Sequence, residues 1–268
     1  MSHPSAAEQA LKDGDAPAAL KRLTEQVRAA PNDAKLRTFM FQLLCVMGQW
    51  DRALNQLAVA GELDAETLPM VQTYREAIQC ETLRLQVFTG TKVPMLFGEP
   101  EPWIALLIEA LLREGRGEAD AGRQLRAQAL EQAPASAGTM DGEPFEWIAD
   151  ADSRLGPTVE AVINGRYYWL PWNRLSVLEL DPPQDLRDAV WMPAHFHFTN
   201  GGESVGLIPT RYPDTVLGGG DALSLSRRTE WLERGADLVV GVGQRLWATD
   251  RLERALMDVR RVELAAAE

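Results

Sequence analysis

The tightest local constraint on this chain is Asn164-Gly165, set between two runs that favour extended structure. Residues 158–163 read TVEAVI and are rich in β-branched side chains. Residues 166–170 read RYYWL and are rich in aromatics. A two-residue type I′ turn needs positive φ at both central positions, and Asn-Gly is the pair that reaches it most easily. The sequence therefore predicts a β-hairpin over 158–170. Pro171 has no amide hydrogen, so the second strand must end there or lie on an edge. The hairpin also marks where helical patterning stops.

Before it, apolar residues recur at helical spacing. Helices are expected over 6–12, 16–29, 33–47, 50–60, 67–89, 103–114 and 118–133. In the third of these, Leu36, Phe39, Met40, Leu43, Leu44 and Met47 form one apolar face. A weak repeat runs through this half. Gly14 with Ala19 and Leu20 aligns with Gly48, Ala53 and Leu54 at an offset of 34, the tetratricopeptide period. Gly117 lies 103 positions after Gly14, close to three periods, and Pro31 and Pro134 each follow their glycine by 17 residues. Glycine permits a tight turn between helices, alanine a close approach, and proline a stop. An ordinary antiparallel bundle fits the same pattern. Residues 90–102 (GTKVPMLFGEPEP) read as a loop.

After residue 140 the chain carries six of its eight tryptophans and short β-like runs separated by turn residues. Strands are expected near 176–180, 194–199, 204–208, 228–232, 238–242, 245–248 and 256–264. Gly218 to Gly220 reads as a loop, and 185–190 as a short turn or helix. The fold class is α+β: an all-helical tetratricopeptide-like domain over 1–135, a linker over 136–143, and a small antiparallel β-rich domain over 144–268.

Charge narrows the partners. The net charge is −12, and both halves are acidic: 14 basic against 18 acidic residues up to position 140, then 13 against 21. That excess opposes non-specific nucleic-acid binding and an anionic membrane surface. Cys45 and Cys80 sit in apolar helical patterns and read as buried free thiols. The first 17 residues lack the charged and apolar regions of a signal peptide. No apolar run is long enough to span a bilayer. The expected location is cytoplasmic.

The chemistry-bearing residues yield no recognisable catalytic arrangement. His195 and His197 share a strand face, but His3 is the only other histidine and a metal site needs a third ligand. Asp150-Ala-Asp152-Ser-Arg154-Leu-Gly156 begins like a calcium loop and fails at Arg154 and Leu155. Asp150 or Asp152 pairing with Arg154 is the expectation. The glycine-rich stretches at 218–220 and 241–243 match no phosphate loop, and no serine stands in a G-x-S-x-G context.

Residues 145–175, FEWIADADSRLGPTVEAVINGRYYWLPWNRL, resemble the ImpE/TagJ (SciE-type) family of type VI secretion accessory proteins. The likeness continues through Pro183, Leu186, Arg187, Asp188 and Trp191. It extends to Pro209-Thr-Arg211-Tyr212-Pro213, Thr229-Glu-Trp231, Gly241-Val-Gly243-Gln244-Arg245 and residues 257–264 (MDVRRVEL). Trp172 departs from it, being bulkier than expected after the proline. The resemblance implies a non-enzymatic adaptor without cofactor, metal or catalytic residues. It would bind the small contractile-sheath subunit (TssB/VipA type) through that subunit's N-terminal helix, and link the sheath to the ClpV ATPase.

Two surfaces could carry such binding. One is a groove between helices, with Phe39, Leu43, Trp50 and Leu54. The other is the aromatic strand half, with Tyr168, Trp169, Trp172, Arg187, Trp191, Arg211 and Tyr212, residue types common at binding hot spots and equally common as core anchors. Arg187 beside Asp185 or Asp188, and Arg211 near Asp214, are expected ion pairs. The competing readings are a metal- or ligand-binding enzyme using Asp150, Asp152 and His195, and a general tetratricopeptide scaffold.

Overall fold

A computed structural model describes residues 5–215, 220–235 and 238–265. Five helices come first: α1 (Ala6–Lys12), α2 (Ala16–Ala29), α3 (Ala34–Val46), α4 (Trp50–Leu63) and α5 (Leu68–Phe88). After a two-residue strand, β1 (Met95–Leu96), come α6 (Pro102–Gly115) and α7 (Ala119–Gln132). Consecutive helices pack against one another, and α6 packs on α7. Among the described residues no helix is long and apolar enough to cross a membrane.

The repeat seen in the sequence is a repeat of hydrogen bonds. Gly14, Gly48 and Gly117 all have positive φ and follow α1, α3 and α6. In each case the residue after the glycine donates back five positions: Asp15 N to Ala10 O, Gln49 N to Leu44 O, and Glu118 N to Arg113 O, all at 2.8–2.9 Å. This closure satisfies carbonyls that a helix end otherwise leaves unpaired. Five residues after each glycine lie Ala19, Ala53 and Gly122. The two alanines are fully buried, and a Cβ at Gly122 would come within 2.9 Å of Ala110 O. Small residues at these points set how closely each helix pair packs.

The strands follow as β2 (Gly138–Met140), β3 (Glu143–Phe145), β4 (Ile148–Asp150), β5 (Thr158–Ile163), β6 (Arg166–Pro171), β7 (Leu175–Leu180), β8 (Trp191–Phe198) and β9 (Glu203–Pro209). A short helix α8 (Asp221–Ser224) precedes β10 (Thr229–Glu233), β11 (Val239–Gly243), β12 (Leu246–Thr249), β13 (Glu253–Ala255) and β14 (Arg261–Leu264). Nine strands form one sheet in the order β1-β6-β5-β9-β8-β7-β14-β2-β3. Within it, β1 and β6 pair parallel, and the other pairs are antiparallel. β13-β12-β4 and the hairpin β10-β11 form two smaller sheets.

The hairpin of β5 and β6 is formed as its sequence dictates, with Asn164 at φ 50° and Gly165 at φ 70°. Pro171 closes β6 opposite Thr158, beyond the reach of β1, which pairs only with Tyr168 and Trp169. The chain around 136–143 contains β2, paired with β14 and β3, and the 90–102 loop contains β1. Residues 256–264 are not one strand: Leu256–Asp258 makes a 3-10 turn before β14. Residues 218 and 219 of the expected glycine loop lie outside the described residues, and Gly220 caps α8.

All six residues of β5 are buried, because both of its faces are covered. Val159, Ala161 and Ile163 point into a core within the sheet layer, with Trp172, Leu178, Phe196 and Trp247. Val162, with Tyr167 and Trp169 of β6, belongs to a second core that continues into the helices through Phe41, Leu44, Tyr74 and Ile78. The hairpin is thus the partition between two cores, which explains why alternation disappears there.

Candidate partner-binding surface

The partition carries charge on its helical face. Glu160 of β5 is fully buried and lies 2.6 Å from Nε of Arg84, which reaches it from α5. Arg245, also fully buried, bridges Glu160 and Asp150. The Tyr167 hydroxyl donates to Glu160 and accepts from Trp169 Nε1 at 2.7 Å. Arg84 also donates to the Arg211 carbonyl at 2.6 Å, and it contacts Glu81, which accepts from Trp191 Nε1 at 2.9 Å. Burial alone would raise the pKa of Glu160, but Arg84 and Arg245 overcome it and hold the carboxyl down at about 2. At Asp150 burial wins over Arg245, with Asp152 adding repulsion, and the carboxyl is pushed up to about 6.

Arg211 is withdrawn from solvent but pairs with no carboxylate among the described residues. The expected pairing with Asp214 does not form: Asp214 lies 3.1 Å from Arg154 instead. Arg211 donates to the carbonyls of Val46 (2.6 Å), Cys45 (3.2 Å) and Ser224 (2.8 Å), so it caps the end of α3. Burial lowers its pKa to about 10. A cation at a helix C-terminus meets the negative end of the dipole. Arg227 does the same for α1, donating to Leu11 O at 2.6 Å, and Asp221 accepts from Ala16 N at 2.8 Å at the start of α2. Arg211, Asp221 and Arg227 of the sheet half therefore hold the α1–α2 turn and the C-terminal end of α3.

The arginine contacts elsewhere divide. Asp152 pairs with Arg154 at 2.7 Å as expected, whereas Asp150 turns to Arg245. Arg187 pairs with Asp185 at 2.7 Å. Asp152 also accepts from Gly241 N at 3.0 Å, so the broken calcium-loop motif is a structural tie. His195 is exposed, and His197 is flanked by Glu179 and Glu203 at 3.4 and 3.2 Å. Among the described residues no group of three or more His, Cys, Asp or Glu side chains is placed to hold a metal. Cys45 and Cys80 are buried free thiols, and burial raises both pKa values.

Of the eight residues singled out for partner contact, five are core. Trp169, Trp172, Trp191, Arg211 and Tyr212 are buried, so they act by packing and capping, not by offering a surface. Trp172, the departure from the family pattern, fills the sheet core edge-on to Trp247 at 5.0 Å. Trp50, Tyr168 and Arg187 are half-buried. Trp50 leans on Trp191 at 5.8 Å, and Arg187 lies over Tyr74 at 4.8 Å. In the helical groove, Leu43 is core while Phe39 and Leu54 remain half-buried.

An open apolar cleft lies elsewhere. Leu130 at the end of α7, Trp147 before β4, Trp231 of β10 and Val239 of β11 are each 39–42% exposed. They line one open cleft of about 480 Å³, whose walls also include Ala149, Asp150, Ala248 and Glu253. Trp231 rests on Tyr212 at 5.7 Å, which ties this wall to the buried network. Sequence reasoning missed the cleft because its four apolar residues come from separate elements spread over more than a hundred positions. The only hint was tryptophan and leucine at positions that help no periodic face.

The comparisons agree with this architecture. A family description of ImpE proteins matches residues 142–263, and a tetratricopeptide repeat description matches residues 10–78. A Pseudomonas aeruginosa protein named type VI secretion system accessory component TagJ is 52% identical over 257 residues, covering 96% of this chain and 90% of its own. The crystal structure of protein VPA1032 from Vibrio parahaemolyticus superposes with a TM-score of 0.88 at 26% identity, over 97% of both chains. With the repeat geometry, the motif-bearing sheet and a relative this similar along nearly its whole length, the chain belongs to the ImpE/TagJ family of type VI secretion accessory proteins.

Proposed function

We propose that this protein is a non-enzymatic, cytoplasmic adaptor that holds the N-terminal helix of the small contractile-sheath subunit (TssB/VipA type) and links the sheath to a ClpV-type ATPase. The observation that carries this reading is the cleft of Leu130, Trp147, Trp231 and Val239. Exposed apolar side chains that converge on one opening are what an amphipathic helix needs to bury its apolar face. Two of the four are tryptophans, the residue type that contributes most per contact at interfaces. Trp50, Tyr168 and Arg187 keep partial exposure and are available as further contacts.

The test is a titration of the fluorescently labelled N-terminal peptide of the cognate sheath subunit, with a scrambled peptide as control. Saturable binding near micromolar, roughly −8 kcal/mol, is expected. Trp147→Ala and Trp231→Ala should each weaken it by about tenfold or more. Failure of a demonstrably helical peptide to bind folded protein would sink the helix-adaptor reading. Unchanged affinity in both tryptophan variants would move the site away from this cleft.

A further inference from the structure

A second opening differs in chemistry from the tryptophan cleft. It lies across α2, α3 and α4 and has a volume of about 330 Å³. Its floor is apolar, made by the buried Val27, Met40 and Leu44. Its rim carries three guanidinium groups, Arg28, Arg37 and Arg52, and none of the residues lining it is acidic. Arg37 donates to Pro31 O at 3.1 Å and to Gln56 Oε1 at 2.8 Å, and Arg52 donates to Gln49 Oε1, so both use neutral acceptors. Arg28 is exposed and has no salt bridge or hydrogen bond among the described residues.

Exposed arginines elsewhere do meet carboxylates, as Arg113 does with Glu109 and Glu118 and Arg261 with Glu179 and Glu263. The local balance is also reversed: residues 16–63 hold six basic and four acidic side chains within a chain of net charge −12. Like charges gathered without counter-ions disfavour the folded state, and an anionic partner relieves that repulsion. An acidic partner approaching an acidic protein is repelled everywhere except at such a patch, which orients it.

We infer that this groove is a docking site for a short acidic peptide segment, with carboxylates on the arginine rim and an aliphatic side chain on the Val27–Met40–Leu44 floor. The apolar floor selects a peptide over a simple anion. The acidity of both halves of the chain opposes a nucleic acid. The guanidinium fork matches a carboxylate in two parallel hydrogen bonds. The site stands apart from the tryptophan cleft and does not depend on what binds there.

The probe is a fluorescein-labelled nonapeptide, Asp-Glu-Leu-Asp-Glu-Met-Leu-Glu-Asp, titrated by anisotropy against the full chain. Saturable binding that weakens as salt rises is expected. The double variant Arg28→Glu/Arg52→Glu alters two exposed side chains, so its circular dichroism should be unchanged while the probe's affinity falls by about tenfold or more. Met40→Gln, which leaves the rim intact, should also weaken it. Binding of the sheath peptide should be unaffected by the double variant. No binding of the nonapeptide, equal binding to the double variant, or equally effective displacement by inorganic phosphate or a DNA duplex would each overturn the assignment.

Discussion

The two faces of the β5–β6 hairpin are both withdrawn from water but held by opposite chemistry. On one face Trp172, Leu178, Phe196 and Trp247 pack with no ionised group among them, and the Trp172 and Trp247 indole nitrogens find no acceptor among the described residues. On the other face Glu160, Arg84 and Arg245 form a connected ionic cluster whose members come from positions 84, 160 and 245. Apolar packing is non-directional and loses stability in proportion to what is removed. A buried ion network is directional and loses it abruptly, because each deletion strands the remaining charges. The ionic face therefore specifies how the helices sit on the sheet, while the apolar face makes the sheet itself stable.

That contrast can be broken most directly at its centre. Glu160→Ala leaves Arg84 and Arg245 without their shared carboxylate and should cost about 3–5 kcal/mol in urea unfolding. A loss under about 1 kcal/mol would mean that the two arginines re-pair locally, and the joint would then be less directional than argued. On the apolar face Leu178→Ala should cost about 2–5 kcal/mol by the same measurement, scaling with the cavity left behind.

Titration sharpens the comparison further. The folded-state pKa of Asp150 is raised, from 3.8 to about 6, so the fold binds its proton more tightly than the unfolded chain does. Its contribution is present below 3.8 and lost as pH rises through about 6, by up to roughly 3 kcal/mol. Glu160 is the reverse, held at about 2 against 4.5, so its contribution is present above 4.5 and lost as pH falls through about 2. Asp150→Asn should remove the decline in stability between 3.8 and about 6, read from denaturation midpoints across pH. A slope that survives in the variant would assign it to another group.

Smaller effects are expected at the periphery. Arg227→Ala removes the grip on the α1 carbonyls and should cost about 1 kcal/mol, with faster hydrogen exchange confined to α1. Trp147→Ala, at the open cleft, should change stability by less than about 0.5 kcal/mol. Its effect should appear in sheath-peptide binding alone, which separates the surface from the joint.

Much of this architecture could be read locally. The helices of the first half fall within a few residues of their expected limits, because most have an apolar period and a glycine or proline at or just beyond their end; α4 instead runs on through Gly61 to Leu63. Asn164-Gly165 specified its hairpin for the same reason: both positive-φ demands are met by two adjacent residues. The Asp152–Arg154 pair is also local, two positions apart. The two-residue β1 and the three-residue β2, β3, β4 and β13 escaped notice, since strands that short carry no period.

The aromatic residues show where local reading stops. Trp50 and Trp147 carry the same side chain, yet one leans on Trp191 and the other opens onto a cleft. Nothing near either position in the chain distinguishes them, because exposure depends on which remote element covers a side chain. Arg211 is a parallel case: its neighbour Asp214 was the obvious partner, but the end of α3 supplies three-dimensional competition that sequence distance hides. The sequence by itself determined the element types, the turns and the family, all of which rest on short-range spacing. Only the tertiary structure decided which arginines meet which acids, which tryptophans stay open, and where the rim of unneutralised guanidiniums lies. Those outcomes depend on contacts between segments far apart in the chain, where charge and burial are settled jointly.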